Sequence, residues 1–188
     1  MKRLFCLILS IAVVMTTALG LAACGKGEKE VEQISKPLKL YFANKEYIET
    51  GDSAIGAMVE YDESAITLPK ELPEGVTEEE YASMGYTAAI SQLWHTPKAL
   101  DNVETMVTED MQLNDITCKD GTAYVDIKGE SLQSGGSLEE TVFISQIVET
   151  LVNSFDEIER VQFLIDGEEK ETLMGHCDVS IPLEKGFF

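Results

Sequence analysis

Hydrophobic and polar positions change period along this chain, and each change marks an element. Residues 4–23 show no alternation at all, being uncharged and rich in Leu, Ile, Val, Ala and Met behind the basic start Lys2-Arg3. Residues 25–37 are the opposite, with charges of both signs and almost nothing apolar to bury. Such a segment is solvated and flexible. Residues 38–44 are β-rich and partly alternating, which predicts a first strand, with residues 45–52 continuing it as a short hairpin. Residues 53–76 are irregular and broken by Gly56, Pro69, Pro73 and Gly75. They read as a long connection with one short strand at 57–61.

Period 3.6 then sets in. Thr77 followed by Glu80 is a capping-box pattern, and Tyr86, Ala89, Ile90 and Leu93 lie on one helical face. Pro97 stops this helix near Trp94-His95. Residues 113–118 and 122–128 alternate on either side of Asp120-Gly121, a strong hairpin signal. Ser137 and Glu140 repeat the capping pattern for a second helix to about Asn153, with Ile144, Ile147, Val148, Leu151 and Phe155 as its buried stripe. Residues 159–165 form the next strand, closed by Asp166-Gly167, and residues 172–181 supply a last extended segment. The order β-α-β-β-α-β-β predicts an α+β fold, a small mixed sheet with two helices packed on one face.

The apolar start is a secretory leader in form: a basic n-region, an apolar h-region and small residues at its end. Leu21-Ala22-Ala23-Cys24 at that end resembles the bacterial lipobox. The resemblance implies cleavage before Cys24 and a diacylglyceryl thioether on its sulfur. The division expected is therefore a lipoprotein signal peptide at 1–23, a charged tether at 24–37 and one domain at 38–188. The remainder would lie on the extracytoplasmic face of a membrane, joined to it by lipid. An uncleaved membrane helix is the bland alternative, since twenty apolar residues span a bilayer.

Charge sharpens this picture. The 188 residues hold 14 Lys and Arg against 34 Asp and Glu, a formal net charge of −20. Loss of Lys2 and Arg3 with the leader leaves 12 of those 14 bases, and a net charge of −22. Nucleic-acid binding is excluded, because it depends on basic side chains displacing counterions from phosphate. The length is short for a two-lobed solute-binding clamp. Eight acids against the single base Lys70 fall within residues 60–80.

The order of short motifs points to a family. Gly121-Thr122-Ala123-Tyr124-Val125-Asp126-Ile127, a Gly-containing loop, a helix ending Glu149-Thr150-Leu151, and Val161-Gln162-Phe163-Leu164-Ile165-Asp166-Gly167 follow one another. Together with Leu40-Tyr41-Phe42, they resemble the sporulation and spore germination (GerMN) domain over residues 38–183. The resemblance implies a Gram-positive envelope setting, often as a lipoprotein, and a module like those that build rings in secretion-type assemblies. It attaches no catalytic residue.

The side chains able to do chemistry are few. Cys6 leaves with the leader and Cys24 is taken by lipid, so Cys118 and Cys177 remain. In an exported domain they either form a disulfide or lie as two small buried hydrophobes. His176 with Cys177 and Cys118 falls short of the four paired ligands of structural zinc. His95 reads as a surface residue behind its helix. Asp126 and Asp166 invite a paired-carboxylate reading, but Asp166 belongs to a turn and no base or nucleophile accompanies them. The acidic run lacks a calcium-loop pattern. No catalytic residue, metal or cofactor is expected. Function is expected to be docking on an envelope protein by a sheet edge or helix face. The alternative is binding of a small molecule or cell-wall glycan, in a deep pocket lined by Tyr81, Tyr86 or Trp94.

Overall fold

The computed structural model describes residues 31–52 and 54–187. The leader and Cys24 lie outside these residues. The described chain belongs to the unit Val31–Phe188.

The strands form two sheets instead of the single sheet expected. The first joins β1 (Gln33–Asn44), β2 (Met58–Pro69) and the two-residue β3 (Val103–Glu104) in the order β2-β1-β3. The second runs β4 (Leu113–Lys119), β5 (Thr122–Ile127), β6 (Arg160–Ile165) and β7 (Glu168–Glu169), with β8 (Leu183–Glu184) also paired to β6. The helices are α1 (Lys45–Thr50), α2 (Glu78–Ser91) and α3 (Ser137–Ser154). The α+β class holds, and its core elements are those the periodicity predicts.

Local chemistry accounts for the elements read correctly. The Thr77 hydroxyl accepts from the Glu80 N–H, and Glu80 accepts in return from the Thr77 N–H at 2.8 Å. The Thr77 N–H foremost, and then the Thr77 hydroxyl, which donates to Glu80 Oε2 at 3.1 Å, hold the Glu80 carboxyl below its ordinary range. At the β4–β5 turn Asp120 and Gly121 both take positive φ, 50° and 76°, as a two-residue hairpin loop of this twist requires. β5 and β6 pair in parallel through α3, a βαβ unit whose hydrophobic stripe Ile144, Ile147, Val148 and Leu151 is fully buried. Phe155 ends the stripe, with Tyr86 edge-on to its ring at 4.8 Å and Lys36 Nζ 4.2 Å above it.

Four expectations are corrected. The hairpin at residues 45–52 is α1, capped by the Asn44 side chain and ended by Gly51 at φ 64°. The irregular connection contains the full strand β2. Val59 and Tyr61 face inward before Asp62 and Glu63, and Ser64, Ile66 and Leu68 after them. A bulge at Asp62-Glu63 shifts the inward phase by one residue, which hides the period of two. Gln33–Pro37, expected to lie in the tether, belong to β1 and pair with Ala65–Pro69. The segment 172–181 forms no strand, and the final strand is the short β8.

Candidate interaction surface

The two edges of the β2-β1-β3 sheet are treated differently, and the difference can be followed bond by bond. α3 presents Gln146, Thr150 and Ser154 at i, i+4 and i+8, on one side of the helix. The Tyr41 N–H donates to Thr150 Oγ1 (3.2 Å), and the Lys39 N–H donates to Ser154 Oγ (3.0 Å). Ser154 Oγ donates back to the Lys39 carbonyl at 3.1 Å, and Gln146 Nε2 donates to the Tyr41 carbonyl at 3.2 Å. The free edge of β1 is therefore sealed by three polar side chains of the chain's own helix. Gln146 and Thr150 are fully buried in doing this.

This seal also assigns the direction of every backbone group in the pair. Lys39 and Tyr41 point their N–H and C=O groups toward α3, so Leu38, Leu40 and Phe42 point theirs toward β2. Through the register Leu38↔Ser64, Lys36↔Ile66 and Ile34↔Leu68, residues Ser64, Ile66 and Leu68 bond inward to β1. Ala65 and Thr67 then direct their N–H and C=O groups outward. The same parity explains Pro37 within a twelve-residue strand, since its missing N–H falls on the α3 side and costs no bond to β2. It also fits the Lys70 N–H bonded to the Glu32 carbonyl (2.8 Å) and the Asn44 N–H bonded to the Ala57 carbonyl (2.9 Å). Among the described residues, β2 pairs with β1 alone, so its outer edge is open.

The open edge is acidic. Glu60, Asp62 and Glu63 are exposed along β2. Glu60 lies 3.4 Å from Lys39 Nζ and accepts from the Tyr41 hydroxyl; Tyr41 first and Lys39 second hold its carboxyl below the ordinary range. Burial, followed by the carboxylate of Glu60, pushes the Tyr41 phenol well above its ordinary value. Asp62 and Glu63 take part in none of the ion pairs among the described residues. At the far end, Pro69 has no N–H, and its carbonyl accepts from the Tyr81 hydroxyl.

A second construction lies at the start of α3. Here the helix is capped one residue earlier than predicted: Glu139 Oε2 accepts from the Gly136 N–H at 3.0 Å. Glu140 is thereby turned inward and is fully buried. Its Oε1 accepts from the N–H groups of Leu173 (3.0 Å) and Met174 (2.8 Å), and its Oε2 from that of His176 (2.7 Å). One carboxylate thus shapes the turn that residue patterning reads as a strand. Beside it, Gly129, Leu132, Ile165, Leu173 and Met174 line a shallow depression of about 300 Å³. Met106, Met111 and Phe143 line an adjoining pocket of about 40 Å³. None of Tyr81, Tyr86 and Trp94 lines either one, and Tyr86 is a core residue.

The remaining residues singled out from sequence do not converge. Cys118 and Cys177 stand apart as free thiols. Cys118 Sγ lies 3.6 Å from the Glu157 carbonyl, just past the end of α3, whereas Cys177 Sγ lies 2.9 Å from Thr141 Oγ1 in its first turn. At 1.5 Å per residue these ends are on the order of 20 Å apart, far beyond disulfide reach. Burial, then the carboxylate of Glu157, raises the Cys118 thiol above its ordinary value. Asp126 and Asp166 brace turns: Asp126 Oδ1 accepts from the Gly167 N–H (2.9 Å) and Asp166 Oδ1 from the Gly129 N–H (3.2 Å). His176 Nε2 sits 3.1 Å from the Gly135 carbonyl. Among the described residues no group of three or more His, Cys, Asp or Glu is placed to hold a metal ion. No helix among them is long and apolar enough to cross a membrane.

Comparison with known proteins decides the family. The profile described as Germane, sporulation and spore germination, matches residues 39–171. The chain belongs to that family. The tandem GerMN domains of the sporulation protein GerM from Bacillus subtilis share the fold, with a TM-score of 0.54 and 20% identity. That match covers 80% of this chain and 46% of the tandem, so the chain spans about half its length. The first GerMN domain of GerM is matched at a TM-score of 0.47 and 19% identity, over 79% of this chain and 96% of that one. A Clostridium perfringens protein provisionally described as a lipoprotein is matched at 0.49 and 16% identity, over 86% and 93%. Comparison with curated proteins gives no match. Within this Germane chain the Thr150-Leu151 pair has two jobs one residue apart, since Thr150 seals β1 and Leu151 fills the core.

Proposed function

We propose that this chain is an extracytoplasmic lipoprotein, held at a membrane by acyl groups on Cys24. Its folded domain is a non-enzymatic docking module for an envelope protein in a sporulation- or germination-related assembly. The observation that carries the reading is the unequal pair of sheet edges: one sealed by Gln146, Thr150 and Ser154, the other left open along β2. Membership of the sporulation and spore germination family supports the setting. Leu21-Ala22-Ala23-Cys24, closing an uncharged run, supports the anchor.

An anchor at Cys24 would keep the domain close to the membrane. β1 begins at Gln33, so residues 25–32 alone separate it from the lipid. Fully extended they reach at most about 28 Å. A net charge of −22 is repelled by anionic lipid and wall polymer, so the domain stands off the surface and favours basic or neutral partners. Two acyl chains are needed for this to last, because one alone binds only reversibly.

Cys24→Ala is expected to accumulate as the full-length precursor, with palmitate labelling lost. The check is metabolic labelling with a palmitate analogue, read beside the mobility of the chain. Normal processing of that variant would remove the lipid anchor from the account.

A further inference from the structure

We infer that the outer edge of β2 takes up an extended segment of a partner protein as an added strand, and that this segment carries lysine or arginine facing Asp62 and Glu63. The inference rests on the docking reading above and specifies its surface and its partner.

The backbone supplies the affinity. Ala65 and Thr67 direct their N–H and C=O groups away from β1, and both residues are exposed. Ser64, Ile66 and Leu68 hold the strand from behind through their own bonds to Leu38, Lys36 and Ile34. A regular stretch of antiparallel ladder, Ser64–Pro69 against Gln33–Leu38, is thus presented rigid and with one side vacant, the arrangement that strand addition uses. The ends are marked. At Pro69 the donor is missing and the carbonyl is occupied by Tyr81, so the added ladder stops there. At the other end the bulge at Asp62-Glu63 interrupts it.

Charge selects the occupant. Edge strands commonly carry like charges that prevent pairing with copies of themselves, and Glu60, Asp62 and Glu63 act so here. Two such edges brought together set these acids against one another. The same acids attract a strand bearing cations. Glu60 is already paired with Lys39, whereas Asp62 and Glu63 are exposed and without an ion-pair partner among the described residues. Rejection of self and preference for a basic segment therefore come from one group of side chains.

The test uses the full chain in phospholipid nanodiscs and two synthetic peptides of alternating valine and threonine. One ends in two lysines, the other in two glutamates. Residue-resolved amide exchange is read by NMR. At a lysine-peptide concentration about ten times its dissociation constant, the Ala65 and Thr67 amides should slow roughly tenfold. The glutamate peptide should leave them unchanged. Ala65→Pro, which removes one outward donor and no inward bond, should abolish the Thr67 effect. The double variant Asp62→Lys/Glu63→Lys lies on exposed positions and should reverse the peptide preference. Equal protection by both peptides, or concentration-dependent protection without peptide, would overturn the inference. Protection by the lysine peptide confined to another part of the domain would also overturn it, while leaving the docking reading in place.

Discussion

Glu140→Ala is expected to destabilise the domain by about 3–5 kcal/mol, because it removes a fully buried side chain that serves three backbone donors. The cost arises from what remains. The N–H groups of Leu173, Met174 and His176 would lose their shared acceptor, and a buried donor without a partner costs about 1–3 kcal/mol. These terms do not simply add, because the 172–181 segment can relax and admit water once released. Against a total stability of about 5–15 kcal/mol, the loss is large enough to populate the unfolded state under mild denaturant. Glu140→Gln keeps the oxygen that serves Leu173 and Met174 but sets an amide N–H₂ against the His176 N–H. It should cost roughly half as much. The check is the denaturant midpoint, read together with labelling of the Cys177 thiol, which neighbours His176 and should become faster in both variants. An unchanged midpoint and unchanged labelling in Glu140→Ala would contradict the role assigned to this carboxylate.

Gln146→Ala should have the next largest effect, about 2–4 kcal/mol. Gln146 Oε1 accepts from the Met106 N–H at 2.7 Å, while Nε2 donates to the Tyr41 carbonyl and lies 3.3 Å from Thr105 Oγ1. The side chain is fully buried, so truncation strands a backbone donor and a backbone acceptor and opens a cavity as well. Gln146→Leu fills the volume without restoring the bonds. It separates the two contributions: a leucine variant nearly as unstable as the alanine one assigns the effect to hydrogen bonding. Chemical denaturation measures both. A leucine variant as stable as the parent would mean that the seal on β1 contributes little.

Both residues sit on α3, and both show what patterning can and cannot reveal. The helix itself, its apolar stripe and the β4–β5 hairpin were legible because each is a local regularity: a period of 3.6, or alternation around Asp-Gly. Of β2 only the first part was legible, as the short strand at 57–61, because the bulge at Asp62-Glu63 inverts the inward phase halfway along and hides the continuation. α1 is only six residues, and its signal is the interval between Asn44 and Gly51, not any periodicity. Glu140 was assigned to a capping box one residue out of register, and nothing local distinguishes a cap from a buried carboxylate that serves a loop thirty residues later. The sealed edge is the hardest case. Thr150 meets Tyr41 across 109 residues, and the one trace in the sequence is a polar row, Gln146, Thr150 and Ser154, beside the apolar one. The proposed anchor rests on the reverse kind of signal, the strictly local pattern Leu21-Ala22-Ala23-Cys24.

The open edge follows from these non-local bonds as much as from β2 itself. α3 fixes which backbone groups of β1 face it, β1 passes that parity to β2, and β2 is left with Ala65 and Thr67 facing outward. Glu60, Asp62 and Glu63 then stand beside a vacant ladder, where they reject a second copy and favour a basic segment.

Amide exchange of the free chain tests this edge arrangement most directly. The amides of Lys39 and Tyr41 should be protected although they lie on a strand edge, as should those of Ser64, Ile66 and Leu68. The amides of Ala65 and Thr67 should exchange fast, giving an alternation with a period of two along β2. Uniform protection from Ser64 to Leu68, or rapid exchange at Lys39 and Tyr41, would contradict the account of one sealed edge and one open edge.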